Sequence, residues 1–130
     1  TMSYYISTSF TGSFDEGITA VTAALQEQGF GVLSDIDVSA TMKKKLNVDF
    51  PQYRILGACN PQFAHQALQE ESKIGTMRPC NVVVREQANQ TVEIAAVDPV
   101  ESMSAVGNPA LESLAAEVRG RMETVISTLS

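Results

Sequence analysis

Two cysteine tripeptides that mirror each other, Cys59-Asn60-Pro61 and Pro79-Cys80-Asn81, are the residues of this chain whose types could do chemistry. A thiolate is both a nucleophile and a soft-metal ligand. Each tripeptide sits where an apolar, strand-like run meets a loop or a helix. If the fold brings those junctions together, Cys59 and Cys80 form a two-thiol site although they lie 21 positions apart. Asn60-Pro61 reads as an N-cap followed by an N1 proline. Cys59 then stands just ahead of a helix N-terminus, where the helix dipole favours a thiolate. His65, the only histidine, falls on the same helix, so Cys59, Cys80 and His65 could form a soft site for zinc or copper. Asn60, Asn81 and Arg54 are the polar residues a small ligand there would meet, and Arg54 and Arg78, flanking the cysteine region, could take an anion. A plainer reading competes with this one. Free Cys is among the most buried residue types and packs as a small hydrophobe, C-x-x-C and H-x-x-x-H spacings are absent, and His65 beside Gln66 suits a helix surface. Packing is the commoner fate, and the residues alone leave both readings open.

Other chemistries have less support. Asp35 and Asp37 share one face of a strand about 7 Å apart; such a pair could in principle serve glycoside hydrolysis, but solvent-facing alternation explains it more simply. No G-x-S-x-G elbow occurs, and the glycines match no phosphate-cradling pattern. The net charge of −6 and a pI of about 4.6 argue against non-specific nucleic-acid or anionic-membrane binding, which need Lys and Arg to meet phosphate. The one basic run, Lys43-Lys44-Lys45, reads as a solvated face. No stretch approaches the ~20 apolar residues of a membrane-spanning helix. The start shows no cationic segment followed by an apolar one, so no signal peptide is expected, and Thr1 before Met2 looks like an expression leftover. Two cysteines without a secretory signal suit reduced thiols in the cytoplasm. Asn89-Gln90-Thr91 has the pattern of a glycosylation acceptor but reads better as a hairpin turn.

The elements that must position these residues are legible from periodicity. Tyr4, Ile6 and Thr8 alternate with Ser3, Tyr5 and Ser7 as a first strand. Ser13 and Glu16 form a capping box, Phe14, Ile18, Val21 and Leu25 recur at helical spacing, and Gly29 supplies a left-handed stop, predicting a helix over 14–28. In a second strand Phe30, Val32, Ile36 and Val38 share one face, and Leu33, Asp35 and Asp37 share the other. Ser39 can cap a short helix through Met42 and Leu46 that ends by Phe50-Pro51. Tyr53 to Ala58 reads as a third strand. A helix then runs to about Glu71 with Phe63, Ala64, Ala67 and Leu68 as its buried stripe. Asn81 to Val84 opens a fourth strand, Gln87 to Gln90 a polar turn, and Thr91 to Val97 a fifth strand paired to the fourth as an antiparallel hairpin. Asp98-Pro99 breaks that strand, and Met103 to Gly107 is a loop or short helical turn. Asn108-Pro109 starts a last helix with the strongest stripe in the chain, from Leu111, Leu114, Ala115, Val118, Met122, Val125, Ile126 and Leu129. At 130 residues one domain over 1–130 is expected. Its fold class is α+β, a mainly antiparallel or mixed sheet of about five strands in the order βαβαβαββα with helices on one face. The other face is left open for a ligand or a second subunit, and Met42, Met77 and Met103 in or beside loops favour an adaptable contact surface and a homodimer.

The runs Tyr53-Arg54-Ile55-Leu56-Gly57-Ala58-Cys59-Asn60-Pro61, Pro79-Cys80-Asn81-Val82-Val83-Val84-Arg85-Glu86 and Val97-Asp98-Pro99, with Ala64, Ala67-Leu68 and the stretch from Phe10 to Phe30, resemble the bacterial and archaeal family called domain of unknown function 302. Nearly the whole chain is covered. The resemblance implies a small α+β fold of the TATA-binding-protein-like class and a tendency to dimerise; it implies no activity. Together these readings lead to the expectation of a non-catalytic, dimeric module binding a small ligand or soft metal near the two cysteines. A thiol-dependent enzyme or redox protein, and a purely structural or interaction domain, are the alternatives.

Overall fold

Ser13 and Glu16 do what their spacing predicts. The Ser13 hydroxyl accepts from the Glu16 N–H at 3.1 Å, and the Glu16 carboxylate accepts from the Ser13 N–H at 2.8 Å, starting α1 (Phe14–Glu27). Gly29, at φ +85°, turns the chain so that Phe30 N–H reaches the Leu25 carbonyl at 2.9 Å. These details come from a computed structural model that describes residues 3–130; Thr1 and Met2, read above as an expression leftover, lie outside the described residues.

Five strands follow from the alternating runs: β1 (Tyr5–Phe10), β2 (Gly31–Asp37), β3 (Tyr53–Cys59), β4 (Cys80–Glu86) and β5 (Val92–Val97). They form one sheet in the order β1-β5-β4-β3-β2, with every neighbouring pair antiparallel. Between them run α2 (Val38–Leu46), α3 (Pro61–Glu70), α4 (Pro99–Met103) and α5 (Pro109–Thr128), with single 3₁₀ turns at Ile74–Met77 and Ser104–Val106. The fold is α+β, and the expected order holds. The addition is α4: Asp98-Pro99, expected only to break the strand, also starts a helix, the Asp98 carboxylate accepting from Val100 and Glu101 N–H with Pro99 in the first turn. Three helices thus begin with the same device, Asn60-Pro61, Asp98-Pro99 and Asn108-Pro109.

The core lies between the sheet and the helices of one face. Leu56, Ala58, Cys80, Val82, Val84, Val92, Ile94 and Ala96 from the strands pack against Val21 and Leu25 of α1 and Val118, Met122, Val125 and Ile126 of α5. A second cluster joins Ala67 of α3 to Ile74, Met103, Leu111 and Ala115. Met103, expected at a loop surface, is buried there. Leu68, assigned to the stripe of α3, is exposed instead.

The second strand departs most from its reading. A register shift between Val32 and Ser34 leaves Leu33 without a partner on β3. A bulge of one residue exchanges the faces of everything beyond it. Val32 keeps the core side opposite Ala58, but Ile36 pairs with Ile55 on the uncovered face and is half exposed. Asp35 pairs with the Arg54 side chain, its Oδ1 2.7 Å from Nε, and a second contact links Arg54 Nη2 to Asp35 Oδ2. Asp37, not Ser39, caps α2: its Oδ1 accepts from Ala40 N–H at 2.9 Å and from the Ser39 hydroxyl.

Both capping carboxylates titrate low. The Ser13 backbone N–H, then its hydroxyl, hold Glu16 below its ordinary value; the Ala40 N–H, then the Ser39 hydroxyl, do the same for Asp37. A depressed folded-state pKa gives stability that is present above the unfolded carboxylate range and lost as pH falls through the folded value. Denaturant unfolding should therefore show stability level from neutral pH down to about 5 and falling below that. Glu16→Gln with Asp37→Asn should make the fall shallower.

Candidate functional site

The cysteine end of the sheet was the expected site. Ala58 on β3 pairs directly with Cys80 on β4, and both face the helices. Successive strand residues alternate faces, so Cys59, one place further along and opposite Gly31, lies on the uncovered side. The two thiols are neighbours along the sheet yet fall on opposite faces of it. Both are free. Cys80 is sealed in the main core. Burial pushes its thiol up, the Arg78 guanidinium pulls it part of the way back, and Cys59 adds a small upward push. His65 is exposed on α3, and among the described residues no three His, Cys, Asp or Glu side chains are grouped to hold a metal ion. Among the described residues the expected zinc or copper set of Cys59, Cys80 and His65 is not brought together: sheet alternation puts the two sulfurs on opposite faces, and His65 is exposed on α3.

Asn60 and Arg54, expected beside the cysteines, are occupied or displaced, whereas Arg78 buries an Nη2 group that has no hydrogen-bond partner among the described residues. Asn60 is buried, and its Oδ1 accepts from Gln62 and Phe63 N–H, so its carbonyl is spent on starting α3. Arg54 stands at the far end of β3, five residues and about 17 Å from Cys59 by strand rise, and is engaged by Asp35. Near Cys59 the open face is closed over at Gly57. A Cβ there would run into the Ser34 hydroxyl and come within 2.8 Å of Pro79 Cγ, so a side chain at this position would displace both. Asn81 alone of the expected ligand residues is exposed on the uncovered face.

That face carries the more developed arrangement. Read across the strands it has three rows. Tyr53, Arg85, Glu93 and Ser9 lie in register, then Ile55, Val83, Ala95 and Ser7. Gly57 with Asn81, and Val97 with Tyr5, make the third. The first row is charged, the second apolar, the third mixed. Arg85 Nε donates to Glu93 Oε1 at 2.6 Å, a directly opposed cross-strand pair. A hollow of about 390 Å³ opens above these rows, lined by Tyr5, Tyr53, Asn81, Val83, Arg85 and Glu93 among others. Its floor is Val83 and Ala95, its walls the tyrosine rings, with Tyr4 set edge-on to Tyr5 at 5.0 Å between centroids. Such a site combines an apolar floor with few, convergent polar groups, the usual make-up of a small-molecule pocket.

None of Tyr5, Tyr53, Arg85 or Glu93 was singled out as functional from sequence. The signal was present. Once β4 and β5 are read as a hairpin, Asn81, Val83 and Arg85 fall on one face at intervals of two, and so do Glu93, Ala95 and Val97.

The family model for the domain of unknown function DUF302 matches residues 6–129. Among solved structures the chain is similar to an uncharacterised conserved DUF302 protein from Bacillus stearothermophilus. That match has a TM-score of 0.92 and 28% identity, and covers 99% of this chain and 100% of that one. No curated protein matches.

The placement of the thiols has a direct readout. In native protein at pH 7.5, titration with an aromatic disulfide should register no more than one thiol, that of Cys59, and Cys59→Ala should remove it. Cys80 should react only once the protein is unfolded, because its thiol is both buried and harder to ionise.

Proposed function

The chain belongs to the DUF302 family, and we propose that it is a non-catalytic binding module whose small organic ligand lies in the hollow on the uncovered face of the sheet. The observation that supports this reading is the hollow itself: an apolar floor with an arginine–glutamate pair at one end and an amide at the other, set on rigid central strands. A soft metal near Cys59 and Cys80 has no such support, since among the described residues no third His, Cys, Asp or Glu joins them. A thiol-dependent reaction is equally unsupported, because Cys80 is sealed in the core and the one histidine, His65, is exposed on α3. Two free thiols suit a reducing compartment such as the cytoplasm. No described helix is long and apolar enough to cross a membrane, and the acidic surface of the chain disfavours nucleic acid.

The partner in this reading is a second copy, joined along β1. The two sheet edges differ. β2 is broken by its bulge and carries Asp35 and Asp37, the features by which edge strands resist pairing. β1 pairs with β5 over six residues without irregularity and bears no charge, Tyr-Ile-Ser-Thr-Ser-Phe. An antiparallel edge of this kind can pair with itself about a two-fold axis, extending the sheet without covering the hollow.

Two measurements test the proposal. In an NMR screen of small organic fragments, amide shifts should cluster on Val83, Arg85, Ala95 and Val97, and Ala95→Trp, which fills the floor, should abolish them while the fold persists; fragments that bind only elsewhere overturn the ligand reading. Sedimentation should give a dimer that Ser7→Lys, placing like charges across the axis, converts to a monomer. A monomeric parent protein, or a dimer indifferent to that change, overturns the β1 edge as its interface.

A further inference from the structure

The hollow has a polarity that goes beyond its being a pocket. Its three rows are spaced two residues apart, about 7 Å each, so some 13–14 Å separates the Arg85 row from the row of Asn81 and Tyr5. The middle row is apolar: Ile55, Val83 and Ala95. A molecule lying along it meets charge at one end, aliphatic surface in the middle, and an amide and a phenol ring at the other.

The charged end is not symmetric in what it offers. Arg85 uses Nε to reach Glu93 Oε1, which fixes the plane of the guanidinium. Among the described residues its two Nη groups make no hydrogen bond. Arg54, by contrast, commits both Nε and Nη2 to Asp35, and Arg119 divides its donors between Asp98 and Glu123. Arg85 thus presents a planar pair of donors, held in place by a neighbour and directed by a backbone on two central strands. Guanidinium forks of this kind match the two oxygens of a carboxylate. Glu93 is less exposed than Arg85 and serves as the orienting partner.

Resting on the reading of this hollow as the ligand site, we propose that its ligand is an amphipathic carboxylic acid, with the carboxylate on the Nη groups of Arg85 and an apolar body, preferably flat, lying over Val83 and Ala95 between Tyr5 and Tyr53. The apolar floor selects against small hydrophilic acids, and Arg85 against neutral and cationic analogues of the same shape. Glu93 limits affinity, since its charge opposes the incoming anion while its hydrogen bond holds the arginine; the site is built for reversible capture.

The test compares three probes of one shape: 3-phenylpropionate, 3-phenylpropionamide and 3-phenylpropylamine, titrated against the full chain at pH 7 and followed by backbone amide shifts. The acid should saturate with shifts centred on Val83, Arg85 and Ala95, and bind about tenfold or more tightly than the amide, the scale of a charge-assisted hydrogen-bond pair. Arg85→Met should erase that preference while leaving the amide's affinity near the parent value. Glu93→Gln, which keeps an acceptor for Nε but removes the charge, should strengthen acid binding several-fold. If acid, amide and amine bind in the hollow equally, or the amine best, the ligand class is overturned and the hollow survives as a site. If none of the three shifts the hollow residues, both readings fall.

Discussion

An antiparallel sheet covered on one side only is the constraint on which this structure depends. Side chains on a strand alternate between faces with a period of two, so covering one face with α1 and α5 assigns every strand residue one of two environments. Cys80, Val82 and Val84 alternate with Asn81, Val83 and Arg85 along six consecutive residues of β4. The first set locks into the core with Ile94 and Ala96; the second faces outward. The helices keep this division fixed through polar struts. Asp98, buried at the end of β5, caps α4 and pairs with Arg119 of α5 at 2.9 Å. Arg121 of α5 donates to the Gln28 carbonyl behind α1 and lies over the Phe63 ring of α3 at 5.1 Å. A one-residue slip in any central strand would exchange its faces.

The same constraint disposes of the cysteine pair as a reaction centre. Echoed tripeptides at the ends of adjacent antiparallel strands are close in register, which is why the two thiols feel one another electrostatically. Closeness in register does not put them on one face, and parity along the strands sends one inward and one outward. What the echo marks is structural. Asn60-Pro61 starts α3, and Pro79 lies across Gly57 together with Ser34. The motif by which the chain resembles its family is thus largely a motif of closure at one end of the sheet, and the Arg85–Glu93 pair lies toward the other end.

Much of this architecture was legible in the sequence because the signals were local. The capping box at Ser13 and Glu16, the Gly29 stop, the Asn-Pro helix starts, the hairpin turn over Gln87 to Gln90 and the stripe of α5 each depend on residues within one or two turns of each other. What failed depended on long-range pairing. The bulge at Leu33 arises from how β2 meets β3, and its one trace in the sequence is Ser34, a polar residue that interrupts the apolar face of the strand. The inward turn of Met103 depends on α4, α5 and the 3₁₀ turn at Ile74 meeting in a second cluster. The hollow lies between these extremes. Its residues were readable as one face of a predicted hairpin, but their value as a site emerges only when β1 and β3 add Tyr5 and Tyr53 on either side.

The division of labour between the two faces of the sheet can be tested at two adjacent residues of identical type. Val82 and Val83 neighbour each other on β4, one in the core and one on the floor of the hollow. Each is truncated to alanine and the free energy of unfolding is measured. Loss of Val82 should cost about 2–3 kcal/mol through lost burial and a residual cavity. Loss of Val83 should cost less than about 1 kcal/mol, as expected for a partly exposed position outside the packed core. Equal losses at the two positions would mean that the second face is as much a part of the core as the first, and would contradict the account.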